Sequence, residues 1–261
     1  MRELEGRAVL ITGAGDGLGR AFALEVASHG AVVLVNDVNG DHAARTVAEV
    51  RAAGGVAEAD VRAIGSAEAG EAVVAACVEA FGRVDAAITN AGIFHQANMW
   101  DEKPETAEAI VRVNLLGVIH TATPAIRRMR AQGRGVILNI ASGSMAGNAE
   151  MSLYSATKGG VMSLTYAWAQ ELEGSGVRIH AMSPFAYTAM MKTSTSKAAE
   201  GPEHMAPLAG YLLSDRAAHL HGKIVRLKNG SLHIARPPEF DPSLGQSSKW
   251  TLATIADALG R

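Results

Sequence analysis

The stretch Ala8-Val9-Leu10-Ile11-Thr12-Gly13-Ala14-Gly15-Asp16-Gly17-Leu18-Gly19 decides the fold. Its first part, Ala8 to Ile11, is a short unbroken apolar run, as expected of a strand covered on both faces. Leu18, Phe22 and Val26 then recur every four residues, the stripe of an amphipathic helix that Gly30 ends. Between strand and helix, four glycines crowd one turn. Glycine permits positive φ and lets the backbone approach a ligand with no Cβ in the way. A helix beginning near Gly17 aims its unpaired N–H groups and the positive end of its dipole back at that turn. Gly13, Gly15, Asp16, Gly17, Leu18 and Gly19 are therefore candidate diphosphate contacts.

Outward from this unit the pattern repeats. Strands are expected at Val32 to Val35, Val56 to Ala59, Val84 to Thr89, Gly135 to Ile140, Val177 to Ala181 and Ile224 to Leu227. Helices are expected through 43–53, 67–81, 107–130 and 154–173. Alternation of this kind predicts an α/β architecture: a single-domain, doubly wound parallel sheet of about seven strands, Rossmann-like, with helices on both faces. No linker or internal repeat divides residues 1–261. The least periodic stretch suggests a substrate loop at about 184–205. A C-terminal extension, about 236–261, is polar until Trp250 and then helical in pattern from Leu252 to Leu259.

Composition narrows the function classes. Apolar residues make up 48% of the chain and Gly numbers 28, against 5% aromatics, which suits small-residue helices packed on a sheet. A net charge of −2 gives no electrostatic case for nucleic acid or an anionic membrane. No apolar run reaches the ~18 residues of a membrane helix and no signal peptide precedes the first strand. A cytoplasmic protein is expected. The single cysteine, Cys77, reads as a small buried helix residue. His219 and His221 suit neither face of a helix, His95 borders the expected substrate mouth, and no cluster has metal-ligand spacing, so no metal is expected.

Asp37 closes the second strand, 18 residues beyond Gly19. A carboxylate there accepts hydrogen bonds from ribose hydroxyls and repels a 2′-phosphate, so NAD is favoured over NADP. Arg20 is the one dissenting cation. Further along, Tyr154 and Lys158 stand four apart at the start of a helix, on one face, about a dozen residues after Ser142. A phenol and an ammonium so placed are equipment for moving a proton to or from an alcohol oxygen.

At this point the chain resembles the short-chain dehydrogenase/reductase family over nearly its whole length. Thr12 to Gly19 looks like the family's TGxxxGxG turn. Asp60-Val61 matches the adenine-contacting pair, Asn90-Ala91-Gly92 the NAG motif, Asn114 the active-site asparagine, and Tyr154-Ser-Ala-Thr-Lys158 the YxxxK motif. The resemblance implies that Lys158 also holds the nicotinamide ribose and that Asn114 supports a water relaying the proton outward. It places Pro184 and Thr188 at the cofactor. A free tyrosine, with a pKa of about 10, exchanges protons poorly at neutral pH. Lys158 and an oxidised nicotinamide would lower it, and about 3 units corresponds to roughly 4 kcal/mol. Tyr154 then acts as general base or acid, and Ser142 hydrogen-bonds the substrate oxygen.

Two departures stand out. The serine-to-tyrosine gap is 12 residues where 13 is usual, and Ser144 is the other nearby hydroxyl; Ser142 follows the strand directly. Ser183-Pro184-Phe185 replaces the usual Pro-Gly. For the substrate, Asn36-Asp37, the 202–208 segment and Gly222-Lys223 resemble the (3R)-hydroxyacyl-CoA dehydrogenase part of peroxisomal multifunctional enzyme type 2 and its bacterial relatives. That implies a 3-hydroxyacyl thioester, with a hydroxysteroid or other bulky secondary alcohol as the alternative. Met145, Met151, Met190 and Met191 would offer adaptable apolar surface near the pocket. A non-catalytic dinucleotide-binding sensor or scaffold is the alternative of another class. The stripe Val161, Leu164, Trp168 and Leu172 fits a homodimer or homotetramer, or else is spent on the chain's own sheet.

Overall fold

The computed structural model describes residues 3–186, 201–240, 243 and 245–260. Strands β1 (Ala8–Thr12), β2 (Val32–Asn36), β3 (Val56–Asp60), β4 (Ala86–Thr89), β5 (Gly135–Ile140), β6 (Val177–Pro184), β7 (Ile224–Lys228) and β8 (Ser231–Ile234) form one sheet in the order β3-β2-β1-β4-β5-β6-β7-β8. All neighbours are parallel except β7 and β8. The order reverses between β1 and β4, and that crevice at the strands' C-terminal ends is where ligands bind in open α/β sheets.

Helices cover both faces: α1 (Gly17–Ser28), α2 (Gly40–Ala52), α3 (Ala67–Phe81), α4 (Pro104–Val111), α5 (Gly117–Gln132), α6 (Ser152–Glu171) and α7 (Ala206–Leu213). Alternation along β1 sorts the core. Val9 and Ile11 join Phe22, Val26 and Leu212 on one side, while Ala8 and Leu10 join Val73, Cys77, Ala122 and Met129 on the other. Local chemistry sets the helix ends. The Asn39 side chain accepts from the His42 N–H (3.1 Å) and the Ser66 hydroxyl from the Ala69 N–H (3.2 Å). Gly82 and Gly133, at φ 77° and 72°, end α3 and α5 in left-handed caps.

Four features differ from expectation. Asp85 does not extend β4 backwards as a simple strand residue: its buried carboxylate accepts from the Ala8 N–H (3.0 Å) and pairs with Arg83 (2.6 Å). The helix expected over 107–130 is two helices joined by a π turn at Arg112–Leu116. By length and composition the run Pro104–Gln132 is long and apolar enough to cross a membrane, contrary to the expectation that no such run exists. Its apolar side, Val118, Ala122, Ala125 and Met129, is buried in the chain's own core. Last, an eighth strand is present. Asn229 (φ 50°) and Gly230 (φ 72°) form the two-residue turn of a β7–β8 hairpin, closed by the Lys228–Ser231 pair. The expected short helix of the tail is α8 (Leu252–Ala258).

His180 in β6 is fully buried. Its Nδ1 lies 2.8 Å from the Leu220 carbonyl, and its buried Nε2 has no partner. Burial pushes its pKa down to about 4, opposed by the Leu220 contact and aided by Arg178, His221 and His219. The unfolded chain takes up this proton near pH 6.5, so the stability is complete above that pH and lost as pH falls toward 4. Up to about 3 kcal/mol rides on this window. His180→Asn is expected to flatten the fall in urea midpoint between pH 6.5 and 4; an unchanged slope would overturn the assignment.

Candidate active site

The crevice is built by the turns that follow β1 and β4. Asn90 reaches across it and donates from Nδ2 to the carbonyls of Thr12 (3.0 Å) and Gly13 (2.9 Å). Thr12 Oγ1 in turn accepts from the N–H groups of Asn90 (3.0 Å) and Ala91 (3.1 Å). Thr12 was quoted in the motif without a role; it ties the two turns together. The glycines are needed because there is no room. A Cβ on Gly13 would stand 2.8 Å from Ala91 Cα, and one on Gly15 would stand 2.8 Å from Asp37 Oδ2. On Gly19 it would run into the Gly13 carbonyl. Asp16 sits at the N-cap of α1 with no side-chain cap bond and no acid follows in the first turn. That leaves the helix's first N–H groups and dipole to an anionic ligand.

Asp37 lies at the far end of this turn. Its Oδ2 accepts from the Gly15 N–H (2.9 Å) and its Oδ1 from the Asn39 N–H (2.9 Å). Arg20 is engaged by Glu49 (2.5 Å), whereas Arg45 lies on the turn itself, 3.3 Å from the Gly15 carbonyl and 3.8 Å from the Asp16 carboxylate. Asp60 is buried, bonded by Asn36 Nδ2 (2.9 Å) and paired with Arg62 (3.1 Å), whereas Val61 beside it is exposed. Gly92 faces Asn114, whose Oδ1 would lie 3.3 Å from a Cβ there. Pro184, half-buried, ends β6. Thr188, Met190 and Met191 lie outside the described residues. Glycine cradle, uncapped helix start and Asp37 together fit a dinucleotide.

Tyr154 and Lys158 occupy the first turns of α6, and Ser142 follows β5 as the N-cap of a 3-10 turn, Gly143–Ala146. The Ser142 hydroxyl accepts from the Ser144 N–H (3.2 Å) and sits near the Tyr154 phenol, whose pKa it pulls down. Ser142, rather than the buried Ser144, therefore meets the phenol. Phe94 packs edge-on against the Tyr154 ring, centroids 5.2 Å apart, a neighbour no sequence pattern indicated.

The Lys158 side chain is buried, and its Nζ donates to the Ile140 carbonyl (2.7 Å) and stands 5.7 Å from the Tyr154 ring centre. Burial pushes its pKa down to about 8. Burial likewise raises the Tyr154 phenol above its ordinary value, and Ser142 pulls the other way. Asn114 is fully buried in the π turn, its Oδ1 accepting from the Ile93 N–H and its Nδ2 donating to the Ile93 carbonyl, both 2.8 Å. The side chain is a clamp on the loop after Gly92.

Residues 7–200 match the model of the short chain dehydrogenase family. The chain belongs to that family. It is 32% identical to the 3-oxoacyl-acyl-carrier-protein reductase FabG of Thermotoga maritima, over 87% of this chain and 98% of that one. It is 37% identical to peroxisomal multifunctional enzyme type 2 of Mus musculus, over 80% of this chain but only 30% of that longer protein. Among solved structures, a short chain dehydrogenase from Mycobacterium avium superposes with a TM-score of 0.90 at 32% identity, covering 99% of this chain and 96% of its own. The chain is accordingly an oxidoreductase acting on alcohol or ketone carbon with a nicotinamide dinucleotide.

Gly19→Ala tests the cradle. The added Cβ meets the Gly13 carbonyl and sits 2.6 Å from Asn90 Nδ2. NADH affinity, read by fluorescence titration, is expected to fall at least about ten-fold, or 1.4 kcal/mol. Wild-type affinity in this variant would show that the turn does not carry the ligand.

Proposed function

We propose that this chain is an NAD-dependent dehydrogenase that oxidises a 3-hydroxyacyl thioester to its 3-oxo form. The reading rests above all on the Tyr154 phenol, set beside Ser142 with Lys158 buried one helical turn away. When bound, a nicotinamide dinucleotide supplies the acceptor for the carbinol hydride. Everything else falls to the chain. Tyr154 takes the hydroxyl proton in oxidation and returns it in carbonyl reduction. Ser142 donates to the substrate oxygen as charge builds on it. The burial that raises the phenol also weakens screening, so the Lys158 ammonium acts strongly on a phenolate when one forms. Gly13, Gly15, Asp16, Gly17, Leu18 and Gly19 hold the diphosphate, Asp37 the adenosine ribose, and Asp60, Val61 and the Asn90–Gly92 turn the adenine side and floor.

NAD is favoured because Asp37 puts a carboxylate beside Gly15, where a 2′-phosphate would be repelled, and because Arg20 is already committed to Glu49. The thioester follows from the likeness to a 3-oxoacyl-acyl-carrier-protein reductase and to the multifunctional enzyme. Association into dimers or tetramers is part of the same reading, although Val161 and Leu172 of the helical stripe are buried within the chain itself.

Two substitutions test this. Tyr154→Phe is expected to lower kcat by about 10²–10⁴-fold in NAD reduction followed by absorbance, with NADH binding retained. If no secondary alcohol or 3-hydroxyacyl thioester is turned over and this variant changes nothing, a binding protein remains. Asp37→Ser should narrow the NAD-over-NADP ratio of kcat/KM at least about ten-fold; a wild-type enzyme preferring NADP would refute the cofactor assignment.

A further inference from the structure

Arg226 is out of keeping with the other arginines. Among the described residues, each arginine that is not fully exposed has a carboxylate within 4.0 Å, as Arg7 has Asp215 and Arg20 has Glu49. Arg226, half-buried, is the exception: among the described residues no carboxylate is paired with it, and its Nη1 donates to the buried Ser183 hydroxyl, 3.1 Å away. A guanidinium carries five N–H donors and a permanent charge, and a neutral hydroxyl satisfies one of them. Partial burial of a cation without a counter-charge is costly, which is why such groups are normally paired.

Its position gives the imbalance a purpose. Arg226 pairs with Ser183 across β6 and β7, at the C-terminal edge of the sheet that also carries Ser142 and Tyr154. Its guanidinium lies so close to Gly143 that a Cβ there would overlap Nη1. Gly143 directly follows Ser142, the N-cap of the turn after β5. Two more basic groups share the neighbourhood. His233 is paired with Arg226 across the hairpin, and Lys228 lies two residues on, its Nζ 5.2 Å from the Phe185 ring centre. One guanidinium is therefore set directly beside the Ser142 turn in a chain whose net charge is −2.

We propose that Arg226 is a specificity-determining residue that binds an oxyanion carried by the substrate. The inference rests on the dehydrogenase reading above. A carboxylate of a free hydroxy acid and a phosphate of a nucleotide thioester share the required chemistry: planar or clustered oxygens that a guanidinium fork receives through two N–H groups.

The test compares three substrates with the same reacting carbon: free 3-hydroxybutyrate, its coenzyme A thioester, and its uncharged N-acetylcysteamine thioester. Each is measured with wild type, Arg226→Met and Arg226→Lys. Wild type is expected to favour at least one charged substrate over the neutral one in kcat/KM. In Arg226→Met that preference falls at least ten-fold, mostly through KM, and Arg226→Lys restores part of it. Loss confined to the free acid identifies a carboxylate as the anion; loss confined to the coenzyme A thioester identifies the carrier's phosphates. An equal fall on all three substrates would overturn the proposal and leave Arg226 a support for the Ser142 turn, as would a wild type with no preference. Failure of wild type on all three substrates would instead strike the dehydrogenase reading itself.

Discussion

The structure depends on the tie between two turns that diverge at the switch point of the sheet. After β1 and β4 the chain leaves in opposite directions, and nothing in a parallel ladder holds the two exits together. Asn90 and Thr12 do so with four hydrogen bonds of 2.9 to 3.1 Å. They spend the carbonyls of Thr12 and Gly13 on the protein, which leaves the N–H groups of the α1 start directed outward. The side chain that fixes the cradle thus also sorts its polarity. Asn114 repeats the device one layer out, gripping both backbone groups of Ile93. Two buried amides, each serving main chain rather than ligand, hold the loops around the crevice in place.

Burial governs the reacting groups as strongly as proximity does. Tyr154 and Lys158 sit one helical turn apart, as their spacing requires, yet the ammonium is drawn to the Ile140 carbonyl and both groups are pushed toward their neutral forms. A buried phenol and ammonium are sensitive to any charge brought beside them, because the surrounding medium screens little. The site is in this sense tuned to be completed by its ligands.

Much of this was legible beforehand. The β1 run, the glycine turn and the strand–helix alternation led to the sheet and its crevice, because period and punctuation are local properties. Ser142, Tyr154 and Lys158 do meet, since a strand end and a helix start are placed by the same periodicity. What escaped was set by contacts distant in sequence. Asn114 gives no sign along the chain that its amide faces Ile93, nor Arg226 that it reaches Gly143. Asp85 interrupts an apolar stretch for the sake of Ala8, 77 residues away. The β7–β8 hairpin is another matter: Asn229-Gly230 is a strong two-residue turn signal, and the alternation of Leu232 with Ile234 completes it. It was passed over because the surrounding pattern was wholly parallel.

That hairpin has a consequence for the rim of the sheet. Without it, β7 would present unpaired amide and carbonyl groups in the evenly slanted pattern of a parallel strand. The chain folds back and consumes that template itself. The groups now turned to solvent belong to a four-residue strand of the opposite sense, whose donors and acceptors alternate between narrow and wide spacing. Any foreign strand seeking to lengthen the ladder at this margin meets a short and differently spaced register, a modest barrier against fibrous growth that costs the fold only one tight turn.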